Sequence, residues 1–251
     1  MKYLLVIGDG MADDPVPQLG NRTPLQAASI PAIDRLAARG VVGSVINCPP
    51  PLAAGSETAI LSIFGCDPRR YFTGRSPMEA AAVGIPMAPG DAAFRCNLVS
   101  FEDGDMPLAE KRILSHSAGS IDGDSALAAA AALLEDPRFA RALEEARMEL
   151  HTFPAFRQLA VQHQSDLSGI RFTPPHDHLG ERAGPLLPSG NSRAEVFARL
   201  MTLAHRILDR HPVTDKRRAA GRLPANGIWF WAEGTAVALP SFREQYGLDG
   251  A

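Results

Sequence analysis

Apolar residues at the start of the chain run together without alternation. Lys2-Tyr3-Leu4-Leu5-Val6-Ile7 is a short block of strand formers that ends in Gly8-Asp9-Gly10. Such a run predicts a strand buried on both faces, as in a parallel sheet. The spacing then becomes helical. Thr23-Pro24-Leu25-Gln26 predicts a helix start, with Thr23 as cap, Pro24 at the first helical position and Gln26 completing a capping box. A second start at Ser29-Ile30-Pro31 leads into Ile33, Leu36 and Ala37, an amphipathic helix stopped by Gly40. Val41 to Ile46 predicts the second strand. Pro49-Pro50-Pro51 holds an extended approach, and Gly55 permits a turn into Ser56-Glu57. Ala59, Ile60, Ile63 and Phe64 continue as a helix with Ser56 at its N-cap. Strand, helix, strand, helix is the alternation of an α/β sandwich.

Further along, Ser76-Pro77-Met78-Glu79 predicts another capping box ahead of an alanine-rich helix that ends near Gly84. Phe94 to Phe101 predicts a strand carrying Arg95, Asn97 and Ser100. The acidic loop Glu102-Asp103-Gly104-Asp105 lacks the ligand spacing of a calcium loop and is read as a solvated turn. The texture then changes. Ser125 to Glu135 is nearly all Ala and Leu, and Pro137 restarts a helix through Phe139, Leu143 and Ala146. Met148 to Phe153 and Phe156 to His163 predict two strands joined by a proline turn. Helices followed by a hairpin predict an inserted α+β domain at 106–188, set in a core made of 1–105 and 189–251. Arg193 to Leu208 is an amphipathic helix, and the bulky Ile228-Trp229-Phe230-Trp231 strand is expected to return to the core sheet.

Composition sets bounds on function. The chain has 251 residues, 45% hydrophobic and 21% charged, with a net charge of −3, the profile of an ordinary globular protein. A mildly acidic balance with scattered arginines argues against nucleic acid as a partner. No stretch approaches the ~20 apolar residues of a membrane span, and Met1-Lys2 runs into a strand rather than a signal peptide. Cys48, Cys66 and Cys96 are odd in number and lack CxxC spacing. They point to reduced thiols in a cytoplasm and argue against structural zinc.

Chemistry enters at the strand and helix ends. Asp9, beyond the carboxyl end of the first strand, is where open α/β sheets bind ligands. Ser56 at a helix start lies among free N–H groups at the positive end of the helix dipole. A hard oxygen ligand and a serine so placed suit metal-assisted phosphoryl chemistry. The same residues also read as a turn-forming aspartate and a plain helix cap. Arg69, Arg70, Arg75 and Arg95 are candidate ligands for phosphate or carboxylate, whose two oxygens match the guanidinium fork. In Pro174-Pro175-His176-Asp177-His178 three adjacent residues do not converge on one ion. His176 and Asp177 are read as substrate contacts or proton carriers, or as a polar loop.

Seven motifs in order carry a family resemblance: Gly8-Asp9-Gly10-Met11-Ala12-Asp13, Gly55-Ser56-Glu57, Asp67-Pro68-Arg69, Tyr71-Phe72-Thr73-Gly74-Arg75, Arg95-Cys96-Asn97-Leu98-Val99, Pro174-Pro175-His176-Asp177 and Pro224-Ala225-Asn226-Gly227-Ile228-Trp229. The chain resembles the cofactor-independent phosphoglycerate mutases of archaeal type, in the alkaline phosphatase superfamily, over essentially its whole length. The resemblance implies an α/β/α phosphatase-like core with a mainly parallel sheet, interrupted by a lid-like inserted domain. It implies interconversion of 3-phosphoglycerate and 2-phosphoglycerate in glycolysis, with two divalent metals, manganese or magnesium, and without 2,3-bisphosphoglycerate. Asp9 then corresponds to the first-strand metal ligand. Ser56 corresponds to the nucleophile, which also ligates metal and carries the phosphoserine intermediate. Arg69, Arg75, Arg95, His176 and Asp177 correspond to substrate contacts.

Departures from the family pattern are visible too. Glu57-Thr58-Ala59-Ile60 replaces Asp-Val-Ala-Asn, and Ser120 stands where the family often has histidine. The family's remaining metal ligands are aspartates and histidines of a C-terminal segment, and Tyr246 to Ala251 resembles the start of a further core strand. The expectation is therefore an N-terminal part of a longer mutase, inactive in this form. A phosphomonoesterase or phosphonate hydrolase of the same superfamily is the alternative reading, and a non-catalytic binding fragment is another.

Overall fold

The computed structural model describes residues 2–8, 10–52 and 54–249. Two compact units are present, Met1–Ile46 and Asn47–Ala251. In the first, α1 (Pro24–Ala27) begins with the predicted capping box. Thr23 Oγ1 accepts from the Gln26 N–H at 3.2 Å, and Gln26 Oε1 accepts from the Thr23 N–H at 2.9 Å. Helix α2 (Pro31–Arg39) starts with proline at its first position, but Ile30 precedes it and gives no side-chain cap. The two predicted strands do not form among the described residues. Residues 2–8 and 41–46 belong to no strand, and Leu4 is 90% exposed and Val41 fully exposed. A strand exists only through a neighbour's hydrogen-bond ladder. With no partner among the described residues, these apolar runs are left in solvent. Asp9 lies outside the described residues.

The second unit contains α3 (Ser56–Ile63), α4 (Pro68–Tyr71), α5 (Arg75–Ala82), β1 (Ala92–Phe101), β2 (Ile113–Ser115), α6 (Gly123–Leu134), α7 (Pro137–Glu145), β3 (Met148–His151), β4 (Arg157–Gln162), α8 (Ala194–Leu208), α9 (Pro212–Ala219), β5 (Gly227–Thr235) and α10 (Phe242–Tyr246). Every residue of β1 is buried. This strand pairs with β5 along one edge, with β4 along the other and with β2 at its far end, while β3 completes the hairpin on β4. All these pairings are antiparallel. The mixed α/β class agrees with the sequence pattern, whereas the mainly parallel sheet it predicts is absent among the described residues. Nor do the described residues from Tyr246 to Asp249 form a strand: α10 closes at Gly247, in the left-handed region at φ 64°.

The two faces of the sheet do different things. On one, Phe94, Cys96 and Leu98 belong to the main apolar core with α8, the Phe94 and Phe197 rings lie 4.9 Å apart, and Phe230 joins them. Burying three or four aromatic rings there contributes about 2–3 kcal/mol each. On the other face Ala93 and Val161 receive Ala80 of α5. That close approach extends to the backbone: a side chain on Gly74 would come within 2.0 Å of the Glu233 carbonyl oxygen. The end of β1 is locked by Asn226, whose Oδ1 accepts from the Phe101 N–H at 2.7 Å while its amide donates to the Phe101 carbonyl at 3.1 Å. Among the described residues no helix is long and apolar enough to cross a membrane.

Candidate functional site

The α5 face of the sheet carries the charged residues, because alternation along β1 sends Arg95 and Asn97 to the side that receives Ala80. The predicted capping box at the start of α5 does not form. Gly74 is the N-cap, Ser76 Oγ instead donates to the Ala232 carbonyl at 2.6 Å, and Thr73 Oγ1 donates to the Thr235 carbonyl at 2.6 Å. These two bonds fasten the start of α5 to β5. Glu79, released from a capping role, takes Arg95 with both carboxylate oxygens. Arg95 Nε donates to Oε2 at 2.9 Å and Nη2 donates to Oε1. Arg75 Nε lies 3.4 Å from the same carboxylate.

Aromatic rings and amides surround this ion pair. The Arg95 guanidinium lies over the Trp231 ring at 4.9 Å, a cation–π contact that the register predicts, since the two residues are opposite each other across β1 and β5. Trp231 Nε1 donates to Asn97 Oδ1 at 3.1 Å, and the Asn97 amide donates to the His116 carbonyl at 2.8 Å. The His176 ring, from a 3₁₀ turn at Pro175–His178, stands 5.0 Å from Trp231 and 5.9 Å from His116. Arg157, opposite Asn97 on β4, lies over Phe156 at 5.3 Å, and the His116 ring meets Phe156 edge-on at 6.0 Å.

Positive charge prevails here. Burial pushes the Glu79 carboxyl up, but the hydrogen bonds and charge of Arg95, with Arg157 and Arg75 behind, hold it below the usual range. Burial and the adjacent charges of His176 and Arg157 lower the His116 imidazole. Burial, then Arg95, lowers Arg157, with Glu79 acting in the opposite sense. Arg95 and Arg75 thus share one carboxylate, and Arg157 adds a third guanidinium nearby. The surplus favours a multiply charged anion.

Of the residues singled out in the sequence, Arg75, Arg95 and His176 come together, with the Asp177 carboxylate 3.6 Å from His176 Nε2. Arg69 is turned to Asp67, the cap of α4, at 2.8 Å. Ser56 is the first residue of α3 rather than its N-cap, which is Gly55, and its side chain is exposed. No hydrogen bond or ion pair among the described residues joins Ser56 or Arg69 to the arginine cluster. Sequence reasoning missed Glu79, His116, Arg157 and Trp231. A pair of alternating polar residues in a strand, Arg95-x-Asn97, was the available sign that one face of β1 does chemistry.

A cavity of about 750 Å³ lies between the Gly104–Leu108 loop and the end of α8, lined by Lys111, His205 and Asp209. Its polar groups are engaged in holding the fold. Lys111 Nζ donates to the carbonyls of Glu102 and Gly104, His205 Nδ1 meets the Asn226 carbonyl at 2.7 Å, and Asp209 binds Arg218 and Asn226.

Fold and site together define a mixed α/β protein with an arginine-rich face on an antiparallel sheet. More narrowly, the chain belongs to the 2,3-bisphosphoglycerate-independent phosphoglycerate mutase family, whose model matches residues 37–214. It is 41% identical over 251 residues to the mutase of that name from Methanosarcina acetivorans, covering all of this chain and 60% of that protein. Among solved structures it is similar to a Pyrococcus horikoshii protein, with TM-score 0.66 and 27% identity over 95% of this chain and 53% of that one. It is also similar to the cofactor-independent phosphoglycerate mutase of Thermoplasma acidophilum, with TM-score 0.53 and 31% identity over 94% of this chain and 59% of that one. The chain therefore spans about 60% of the length of the curated relatives it matches.

Proposed function

We propose that the protein, at the length of its relatives, interconverts 3-phosphoglycerate and 2-phosphoglycerate, a glycolytic isomerisation, with Ser56 as the phosphoryl acceptor. The arginine cluster around Glu79, in a chain of this family, is the observation that carries the reading. Ser56 Oγ attacks the phosphorus, a new P–O bond forms to serine, and the bond to the glycerate oxygen breaks. The serine proton ends on that oxygen, and the reverse exchange with the other hydroxyl restores it. Placing the serine oxygen in the first turn of α3 favours its negative charge through the free N–H groups there. Arg69, Arg75 and Arg95 serve the substrate anions, and His176 and Asp177 contact the glycerate.

Two divalent ions, manganese or magnesium, belong to the same proposal. Among the described residues no three His, Cys, Asp or Glu side chains converge to hold one. Asp9 and Ser56 alone fall short of the four to six donors that such ions take, so no step is derived through a metal. The phosphatase-like core with a parallel sheet, in which 2–7 and 41–46 serve as strands, is likewise proposed for the longer protein. So is the lid at 106–188, which retains the dephosphorylated glycerate and excludes water. Because β4 pairs with β1, which pairs with β5, any closure of the lid carries those two strands along. A cytoplasmic location is part of the reading.

The test is conversion of 3-phosphoglycerate by the chain extended to the length of its relatives, followed by the rate of 2-phosphoglycerate formation and of phosphate release. Isomerisation without free phosphate is expected, and net release of phosphate would instead make it a phosphomonoesterase. Ser56→Ala should lower kcat more than about 100-fold, a barrier increase of ~3 kcal/mol or more, with an unchanged circular dichroism spectrum. Retention of a tenth of the activity would move the nucleophile elsewhere.

A further inference from the structure

Buried side-chain nitrogen or oxygen atoms with no hydrogen-bond partner are three among the described residues: His116 Nδ1, His151 Nε2 and Arg157 Nε. His151 Nε2 lies 3.5 Å from the Glu149 carboxylate. The other two belong to one place: both groups contact the Phe156 ring, and the charge of Arg157 acts on His116. We infer that Arg157 and His116 form an oxyanion subsite that grips the phosphoryl or the carboxylate group of the phosphoglycerate; the identity of that ligand rests on the mutase reading above.

The other arginines leave this role to Arg157. Arg95 is closed: its side chain is 3% exposed, Nε and Nη2 are held by Glu79, and Trp231 covers one face. Arg75 shares the same carboxylate. Arg157 has a ring beneath it and no carboxylate in salt-bridge reach among the described residues, although it feels both neighbouring arginines. An unpaired buried donor costs about 1–3 kcal/mol, and more when charged, so such atoms are completed by an ordered water or by a ligand, which here displaces that water. The backbone fixes both groups in place. Arg157 is held in the β1–β4 ladder opposite Asn97, and Asn97 itself donates to the His116 carbonyl. Burial and neighbouring charge favour neutral His116, which donates from Nδ1 in one tautomer. A guanidinium fork beside a single N–H donor fits a tetrahedral or planar oxyanion.

Arginine Nε–H and histidine ring signals of the ¹⁵N-labelled chain 1–251 can be followed while 3-phosphoglycerate, orthophosphate and D-glycerate are added separately. Arg157 Nε–H and His116 are expected to shift saturably with 3-phosphoglycerate. A matching shift with orthophosphate assigns the phosphoryl end, and one with D-glycerate assigns the carboxylate end. Arg157→Lys should weaken 3-phosphoglycerate binding about 10-fold and Arg157→Gln about 100-fold. Wild-type signals that stay fixed at saturating 3-phosphoglycerate, or equal affinity in Arg157→Gln, would overturn the inference without requiring any variant to be active. Mutase turnover with an unchanged KM in Arg157→Gln sinks the subsite alone. Shifts without any turnover by the extended chain sink the mutase reading and leave the anion subsite standing.

Discussion

Replacing Glu79 by Gln keeps the shape of the side chain and one acceptor, but removes the charge that Arg95 faces. Arg95 is almost wholly buried, its side chain 3% exposed, so water cannot replace the lost carboxylate from its own side. Breaking a fully buried ion pair from one end costs about 3–5 kcal/mol. Glu79 is a quarter exposed, and solvent entering beside the amide recovers part of that. The expected loss is therefore about 2–3 kcal/mol, or a fall in Tm of roughly 4–12 °C for a unit of this size. Urea unfolding followed by tryptophan fluorescence is the assay, because Trp231 stacks on Arg95. Arg95→Met should cost less than Glu79→Gln, since it leaves the more exposed partner alone, and the double variant should be less destabilised than the sum. The pH dependence has a fixed sign. The folded carboxyl lies below the ordinary value of 4.5, so the pair stabilises above that value and is lost as pH falls through the lower folded value. A Glu79→Gln protein within 0.5 kcal/mol of wild type at pH 7, or a coupling energy of zero with Arg95, would refute the clamp.

Other expectations follow from single contacts. His163 lies 3.1 Å from both Glu149 and Asp91, whose hydrogen bonds raise its pKa above the ordinary 6.5 against a small opposing effect of burial. Its contribution, a few tenths to about 1 kcal/mol for so exposed a ring, is complete below pH 6.5 and fades as pH rises through the raised value; unfolding of wild type and His163→Gln from pH 6 to 9 should show the two curves converging. In Gly227→Ala the new methyl would lie 2.3 Å from Cε2 of the fully buried Phe101 ring, and a loss of about 1–3 kcal/mol is expected in denaturant titration, against less than 0.5 kcal/mol for Gly43→Ala, where no heavy atom lies within 4 Å.

Local features were legible where neighbours in sequence decide them. The Thr23–Gln26 capping box, the β3–β4 hairpin and the long amphipathic α8 follow from spacing alone. What failed depended on distant residues. Ser76 and Glu79 satisfy the capping-box pattern, yet Ala232 and Arg95 outcompete the helix end for them. Continuous apolar runs at 2–7 and 41–46 have strand composition, but composition cannot supply a ladder. The site shows the same division. Arginine and histidine motifs marked Arg75, Arg95 and His176, whereas Arg157 and His116 acquire their meaning only from the register of β1 with β4 and from loops that fold back beside it.

Ala80 and Ala93, each with 0% exposure, face one another where α5 lies on the sheet, and each neighbours in sequence a partner of the Glu79–Arg95 pair or stands two residues from it. Their smallness sets the spacing between helix and sheet, and with it the reach of Glu79 toward Arg95. Two methyl groups thereby act as the gauge of an electrostatic bond. A larger side chain at either position would push the helix away from the sheet and lengthen the Glu79–Arg95 contact, so the charge pair depends on two residues that carry no charge.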